Sequence, residues 1–180
     1  PVAMTVSVES PIARSSVDGT WTNGEKVTVQ AITKTGDAYN WNDAASYPYE
    51  INNDIPAAST KKETHYWQRS DETKLMRAWH CADGSTSNTL PDSWSVAADQ
   101  NETGNGYAES DLLFTAPVEV KFGSTADLIF YHQTARIIVN IKKTEGIDSA
   151  DQIQSVKIGD NNLALSGTYT APSGTGVTTG

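Results

Sequence analysis

The sequence has few of the features that would indicate a disulfide-rich, membrane-spanning or nucleic-acid-binding protein. Cys81 is the single cysteine among 180 residues, so no disulfide can form within the chain. No apolar run is long enough to predict a transmembrane helix. The 13 basic residues are scattered, and the net charge of -9 argues against binding to nucleic acid or to an anionic membrane surface.

Residues that carry enzymatic chemistry are also scarce. The three histidines are His65, His80 and His132. His80 and Cys81 are neighbours on a predicted strand and point to opposite faces, so they form a poor chelate. His132 lies on an apolar strand face, where a hydrogen-bonded core histidine is expected. Sequence motifs of serine hydrolases, zinc proteases and phosphate-binding loops are absent. We therefore expect no enzyme activity, no metal and no cofactor.

The two ends of the sequence differ from the rest of the chain. It begins at Pro1 without an initiator methionine and without a signal segment, so we expect a processed or truncated product. From Thr168 onward the sequence is rich in Thr, Ser, Gly and Pro, which is typical of a flexible tail. The composition leaves the cellular compartment open. A buried thiol is the default expectation for Cys81.

What the sequence does contain is a series of short alternating segments separated by turn signals. Val2, Met4, Val6 and Val8 form one such strand, and Val27, Val29 and Ala31 form another. Tyr39–Ile51 is aromatic but without clear period, and 52–64 is a polar loop. Many short strands without alternating helices predict an all-β sandwich.

The most apolar stretch runs from Asp111 to Lys142 and changes phase midway. The inward-facing residues of its first part lie at even-numbered positions, and the apolar residues of its second part lie at odd-numbered positions. We therefore predict a β-bulge or kink near Gln133–Thr134 in a long strand that bends. The two sets are Leu128, Phe130 and His132, then Ala135, Ile137, Val139 and Ile141.

This stretch resembles the fimbrillin-like proteins of the Bacteroidales, which are subunits of surface pili and related adhesive structures. The resemblance is carried by Asp-Leu-Leu-Phe at 111–114 and by Leu-x-Phe-x-His-x-x-Ala-Arg-Ile-x-Val-x-Ile at 128–141. Upstream it is carried by Trp-Thr-Asn-Gly-Glu-Lys-Val-Thr-Val at 21–29, by Tyr66-Trp67, and by Trp94 before Asp99-Gln100. Glu25 stands where relatives usually have Asp.

The resemblance implies a pair of transthyretin-like Greek-key β-sandwiches. On that basis residues 1–116 form one fairly complete sandwich, and residues 117–180 form the beginning of a second, with a flexible C-terminal tail. A partial sandwich would leave apolar edges open. Either the chain is a fragment, or its last strands dock on the first unit.

The resemblance also implies a function. The chain would be a non-enzymatic, structural and adhesive subunit of a pilus at the cell surface, anchored to the outer membrane and exported by a segment not present here. Its partners would be other pilus subunits. Assembly would follow strand exchange: a protease cuts after Arg14, the resident strand with Val2, Met4, Val6 and Val8 leaves, and another subunit supplies a strand.

A second interpretation is a secreted module that binds a carbohydrate or a host ligand through loop aromatics. Trp41, Tyr47 and Tyr49 are the candidates, because their segment lacks strand periodicity. Aromatic rings can stack on sugars. Aromatics in β-sandwiches more often pack in the core and at its rim.

Overall fold

Ten β-strands and one 3-10 helix make up the regular structure of the described residues. The computed structural model describes residues 1–9, 21–35, 39–58, 61–80, 89–100, 106, 110–135, 137, 139, 141–142 and 163–171. The strands are β1 (Ala3–Val8), β2 (Lys26–Thr33), β3 (Ala45–Asn52), β4 (Ile55–Ala58), β5 (Thr73–His80), β6 (Ser93–Ser95), β7 (Leu113–Thr115), β8 (Val118–Lys121), β9 (Thr125–His132) and β10 (Ser166–Thr168). The 3-10 helix is Trp41–Asp43. The prediction of an all-β fold is confirmed.

The larger sheet folds back on itself around one core. Its strand order is β1-β9-β7-β5-β2-β3-β4, and β8 follows β7 along the same side of β5. β1 runs parallel to β9, whereas the other pairings of this sheet are antiparallel. The two ends of the order meet, because the Val6 N–H donates to the Asp54 carbonyl across 3.0 Å. A small second sheet pairs β6 with β10.

The centre of the larger sheet is β5, which is buried on both faces. Leu75 and Trp79 are buried on one face, and Met76 and Ala78 on the other. A strand covered on both sides cannot show the alternation of a half-exposed strand. The residues of β5 therefore show no apolar–polar alternation in the sequence.

A hairpin that the sequence analysis missed joins β3 to β4. Residues 45–58, interpreted as an irregular segment and a polar loop, pair antiparallel about a two-residue turn. The turn residues Asn53 and Asp54 both have positive φ, at 52° and 60°. Asn and Asp tolerate this conformation, which the tight primed turns of hairpins require.

The strand that contains Phe130 is shorter than predicted. β9 ends at His132, and the chain bends at Gln133 and Thr134, as expected for a kink. The described residues from Ala135 to Lys142 form no strand, and their large apolar side chains are exposed: Ile137 58%, Val139 49% and Ile141 53%. The prediction of one long bent strand is therefore wrong. The second apolar set has the opposite parity and does not follow the first into the core.

The predicted boundary at 116/117 falls inside the larger sheet. β8 pairs with β5, and β9 lies between β1 and β7, so neither strand begins a separate unit. Near the other end of the chain, β10 docks on β6, and the Tyr169 N–H donates to the Asp92 carbonyl across 2.7 Å. The tail predicted to be flexible from Thr168 is therefore ordered at Thr168 and Tyr169. The division into a sandwich at 1–116 and the beginning of a second at 117–180 is not otherwise tested and stays a prediction.

Two residues singled out in the sequence, Arg14 and Cys81, lie outside the described residues. The described part of the chain contains no helix long and apolar enough to cross a membrane.

Candidate functional site

The first strand inserts one row of side chains into the core. Val2, Met4 and Val6 are only 3%, 7% and 3% exposed, and Val8 is half-buried against the same cluster. The alternate residues of β1 are exposed. This follows from the two-residue period of a strand with one wet face. The core therefore depends on this N-terminal segment for part of its packing.

The backbone of β1 is hydrogen-bonded along both edges. On one edge it pairs with β9 from Ala3 opposite Thr125 to Val8 opposite Phe130, and the Glu9 N–H donates to the Phe130 carbonyl across 2.8 Å. On the other edge, the Val2 N–H donates to the His65 carbonyl across 2.8 Å. The Val6 N–H donates to Asp54 on the same side. β1 thus lies in a groove, which we call the β1 groove, between β9 and the segments carrying Asp54 and His65.

The wall at His65 is fixed by buried hydrogen bonds. The His65 N–H donates to the Tyr49 hydroxyl across 3.0 Å, and its ring Nε2 lies 3.0 Å from the Val29 carbonyl. Burial lowers the pKa of His65 to about 4, so the ring is neutral at pH 7. A carbonyl partner requires a donor, which places the ring proton on Nε2. Burial also raises the pKa of Tyr49 to about 12.

The wall at Asp54 is held by the turn that opens β2. The Asn23 Oδ1 accepts a hydrogen bond from the Asn53 N–H across 2.8 Å. Gly24, with φ of 96°, donates its N–H to the Ile51 carbonyl across 2.9 Å. Glycine is favoured at this position of the turn because, without a side chain, it adopts a positive φ at no steric cost. Glu25, the departure from the family pattern, accepts from the Thr22 N–H across 2.6 Å. Its carboxylate therefore closes the turn.

Trp21 and Phe130 close the groove near the end of β1. The two rings meet edge to face with centroids 4.9 Å apart, and Trp21 also lies 5.6 Å from His80. Phe130 is fully buried, and its carbonyl receives the Glu9 N–H. The tryptophan that marks the family motif thus packs beside the last contact of β1.

The aromatic residues proposed as ligand contacts have mainly structural positions. Tyr49 is 2% exposed and therefore is not a surface residue. The Trp41 ring lies 4.0 Å from the guanidinium carbon of Arg77, whose Nε donates to Gln30 across 2.7 Å. Burial lowers the pKa of Arg77 to about 10. Tyr47 is half-buried, with its ring 4.8 Å from His65. The expectation that these three rings are exposed is wrong for Tyr49.

The histidines and acids do not assemble into a metal site in the described residues. No three His, Cys, Asp or Glu side chains come together there. His132 pairs with Asp111 through its Nδ1 at 2.8 Å, so the predicted hydrogen bond is present, but the side chain is 24% exposed and does not lie in the core. Glu72 and Lys74 are buried together at 2.7 Å, with Thr33 bonded to the same carboxylate.

The sequence pattern predicts the strand β1 but not the β1 groove that holds it. The groove residues that contact β1, Asp54 and His65, contribute backbone carbonyls, which every residue carries. The hairpin turn at Asn53 and Asp54 was the available signal.

The larger sheet, the small second sheet and a core that includes residues of β1 define a β-sandwich protein. The profile of the fimbrillin-like family matches residues 13–179, a match that begins after β1. The chain therefore belongs to the fimbrillin-like family, as its motifs indicated.

The fold is similar to that of a solved structure of a candidate cell adhesion protein from Bacteroides ovatus. The TM-score is 0.52 at 14% sequence identity, covering 73% of this chain and 52% of the other. The chain thus spans about half the length of that protein. No curated protein matches this chain.

Proposed function

We propose that the chain is a structural and adhesive subunit of a bacterial surface pilus and has no enzymatic activity. It works outside the cell, and its partners are other pilus subunits. β1 is the resident strand, which leaves after a protease cuts the loop behind it, and the β1 groove then receives a strand from another subunit. Membership of the fimbrillin-like family supports the pilus role.

The observation that carries the exchange mechanism is the two-sided bonding of β1. Its residues are bonded to β9 on one side and to His65 and Asp54 on the other. Loss of β1 would leave unpaired N–H and C=O groups together with the sites vacated by Val2, Met4 and Val6. Such a groove captures an extended segment by backbone bonds and selects it by alternate side chains.

Cleavage is the step that allows the exchange to begin. While β1 is tethered, it competes for the groove at a high effective concentration. A cut in the following loop converts it into a dissociable peptide. An incoming strand of similar sequence makes equivalent bonds, so exchange is close to neutral in free energy and responds to concentration. An arginine-specific protease cutting after Arg14 would act as this switch.

Digestion of the full chain with an arginine-specific protease tests the proposal. Mass spectrometry should show early cleavage after Arg14, and size-exclusion chromatography should then show loss of residues 1–14 together with association. The Arg14→Gln variant is the control and should stay uncut there and monomeric. A cut chain that keeps residues 1–14 and stays monomeric contradicts strand exchange.

The alternative function as a ligand-binding module loses support at two of its three candidate residues, Tyr49 and Trp41. Tyr49 is buried against His65, and Trp41 covers Arg77. Substitution of either residue is expected to act first on stability.

A further inference from the structure

An open depression of about 870 Å³ lies beside the C-terminal half of β2. Its other walls are the 3-10 helix with the start of β3, and the segment 61–68 that follows β4. This volume falls within the range of roughly 300–1,000 Å³ typical of small-ligand sites. The depression shares His65 with the wall of the β1 groove, but its other lining residues do not contact β1 in the bonds described above.

Three tyrosine side chains line this depression, and none of them comes from β2. Tyr39 and Tyr66 are 37% and 42% exposed, and Tyr47 is half-buried. Tyr39 packs edge to face on Trp41 with centroids 6.0 Å apart, and Tyr47 leans on His65. Rings held in this way offer flat apolar faces with polar tips, at little entropic cost on binding. These are the properties used to bind sugar rings.

The charge of the depression differs from that of the whole chain, which has a net charge of -9. Lys61 and Lys62 are adjacent, exposed and without ion pairs to the described residues. Lys74 also lines the depression, but Glu72 compensates its charge at 2.7 Å. Asp43 is the acidic residue of the lining. Among the described residues, Lys61 and Lys62 therefore provide a cationic edge that no ion pair neutralises, beside the tyrosines.

We propose that this depression binds a short acidic saccharide. Its sugar rings stack on Tyr39, Tyr47 and Tyr66, and its carboxylate pairs with Lys61 and Lys62. Asn40 and Asp43 line the same cavity and supply amide and carboxylate partners for hydroxyl groups. A neutral sugar would use the rings but gain nothing from the lysines. The site is independent of the pilus role, so failure of one proposal does not affect the other.

Calorimetric titration of the full chain with three oligosaccharides tests the site. Sialyllactose carries a sialic acid carboxylate, a hyaluronan tetrasaccharide carries glucuronate carboxylates, and lactose is neutral. We expect at least one acidic oligosaccharide to bind roughly tenfold or more tightly than lactose, a difference of one decade in Kd. Its affinity should fall as salt rises. Which acidic probe binds identifies the source of the carboxylate.

Two matched pairs of variants locate the binding. Lys61→Gln/Lys62→Gln should weaken acidic binding roughly tenfold, whereas the control Lys26→Gln/Lys121→Gln on exposed positions elsewhere should not. Tyr66→Ala should weaken binding by a similar factor, and Phe122→Ala, which removes a 48% exposed ring outside the depression, should not.

Three results overturn the proposal. The first is no binding of either acidic probe at about 5 mM, a concentration well above a weak Kd. The second is equal affinity for lactose. The third is unchanged binding in Lys61→Gln/Lys62→Gln. Because both lysines are exposed, this variant is expected to fold, and its thermal unfolding confirms that each result reports on binding.

Discussion

The backbone N–H of Val6 donates to the carbonyl oxygen of Asp54 across 3.0 Å and thereby joins the two ends of the larger sheet. Asp54 belongs to the β3–β4 hairpin turn, which the Trp21–Gly24 turn supports through Asn23. The wall of the groove is thus built from residues that follow β1 in sequence and pack among themselves. β1 adds to this wall rather than forming it, which is the property that a replaceable strand requires.

The side chain of Val6 should contribute much more to stability than its exposed neighbour. Val6→Ala removes buried methyl groups from the core and is expected to lower the free energy of unfolding by about 2 kcal/mol. Ser7→Ala, one position away on the exposed face, should change it by less than about 0.5 kcal/mol. Urea unfolding of both variants measures the difference. Equal effects would show that β1 does not pack as described.

The hydroxyl of Tyr49 should matter for stability rather than for ligand binding. Tyr49→Phe leaves the buried His65 N–H without this acceptor, which should cost about 1–3 kcal/mol. Tyr66→Phe, at a ring that is 42% exposed, is the control and should be nearly neutral. Both are measured by urea unfolding at pH 7. A neutral Tyr49→Phe variant would contradict the buried bond.

His65 should make stability depend on pH in the acid range. Its folded pKa of about 4 lies below the ordinary 6.5, so the unfolded chain binds the proton more readily. The contribution is therefore present above pH 6.5 and is lost as the pH falls towards 4. About 2 kcal/mol should be lost between pH 7 and pH 5, since one pKa unit corresponds to about 1.4 kcal/mol.

The control for this dependence is His65→Gln, whose amide can donate to the Val29 carbonyl but does not titrate. The variant should lack the His65 share of the loss between pH 7 and pH 5. Urea unfolding at the two pH values gives the comparison. An identical pH dependence in both proteins would exclude His65 as its source.

The apolar residues beyond the bend should contribute little to the stability of this chain. Ile137→Lys and Val139→Lys replace side chains that are 58% and 49% exposed, so each should change the free energy of unfolding by less than about 0.5 kcal/mol. Ile129→Lys, at a half-buried position of β9, is the comparison and should be more costly. Thermal unfolding distinguishes them. A large loss in Val139→Lys would mean that this segment packs.

The strands predicted most accurately from the sequence are those with one buried and one solvent-exposed face. In β1 the buried Met4 and Val6 alternate with exposed Thr5 and Ser7, and that alternation is visible in the sequence. The first half of β9 has the same pattern around Leu128. In such strands the alternation of apolar and polar residues in the sequence matches the alternation of buried and exposed side chains.

The parts that could not be predicted have physical reasons. Pro48 and Pro56 lie within β3 and β4, and proline in a run argues against a strand. β5 is covered on both faces and has no alternation to detect. The contacts that hold β1 at Asp54 and His65 are made by main-chain carbonyls, so no side-chain pattern marks them.

Uptake of a labelled β1 peptide tests the central claim most directly. The full chain, carrying a recognition sequence for a site-specific protease inserted after Arg14, is mixed with a fluorescent peptide of residues 1–9 before and after cleavage. The account predicts uptake by the cut chain, little uptake by the uncut chain, and none of a peptide carrying Met4→Asp and Val6→Asp. Failure of the cut chain to take up the peptide, or equal uptake by both chains, would contradict it.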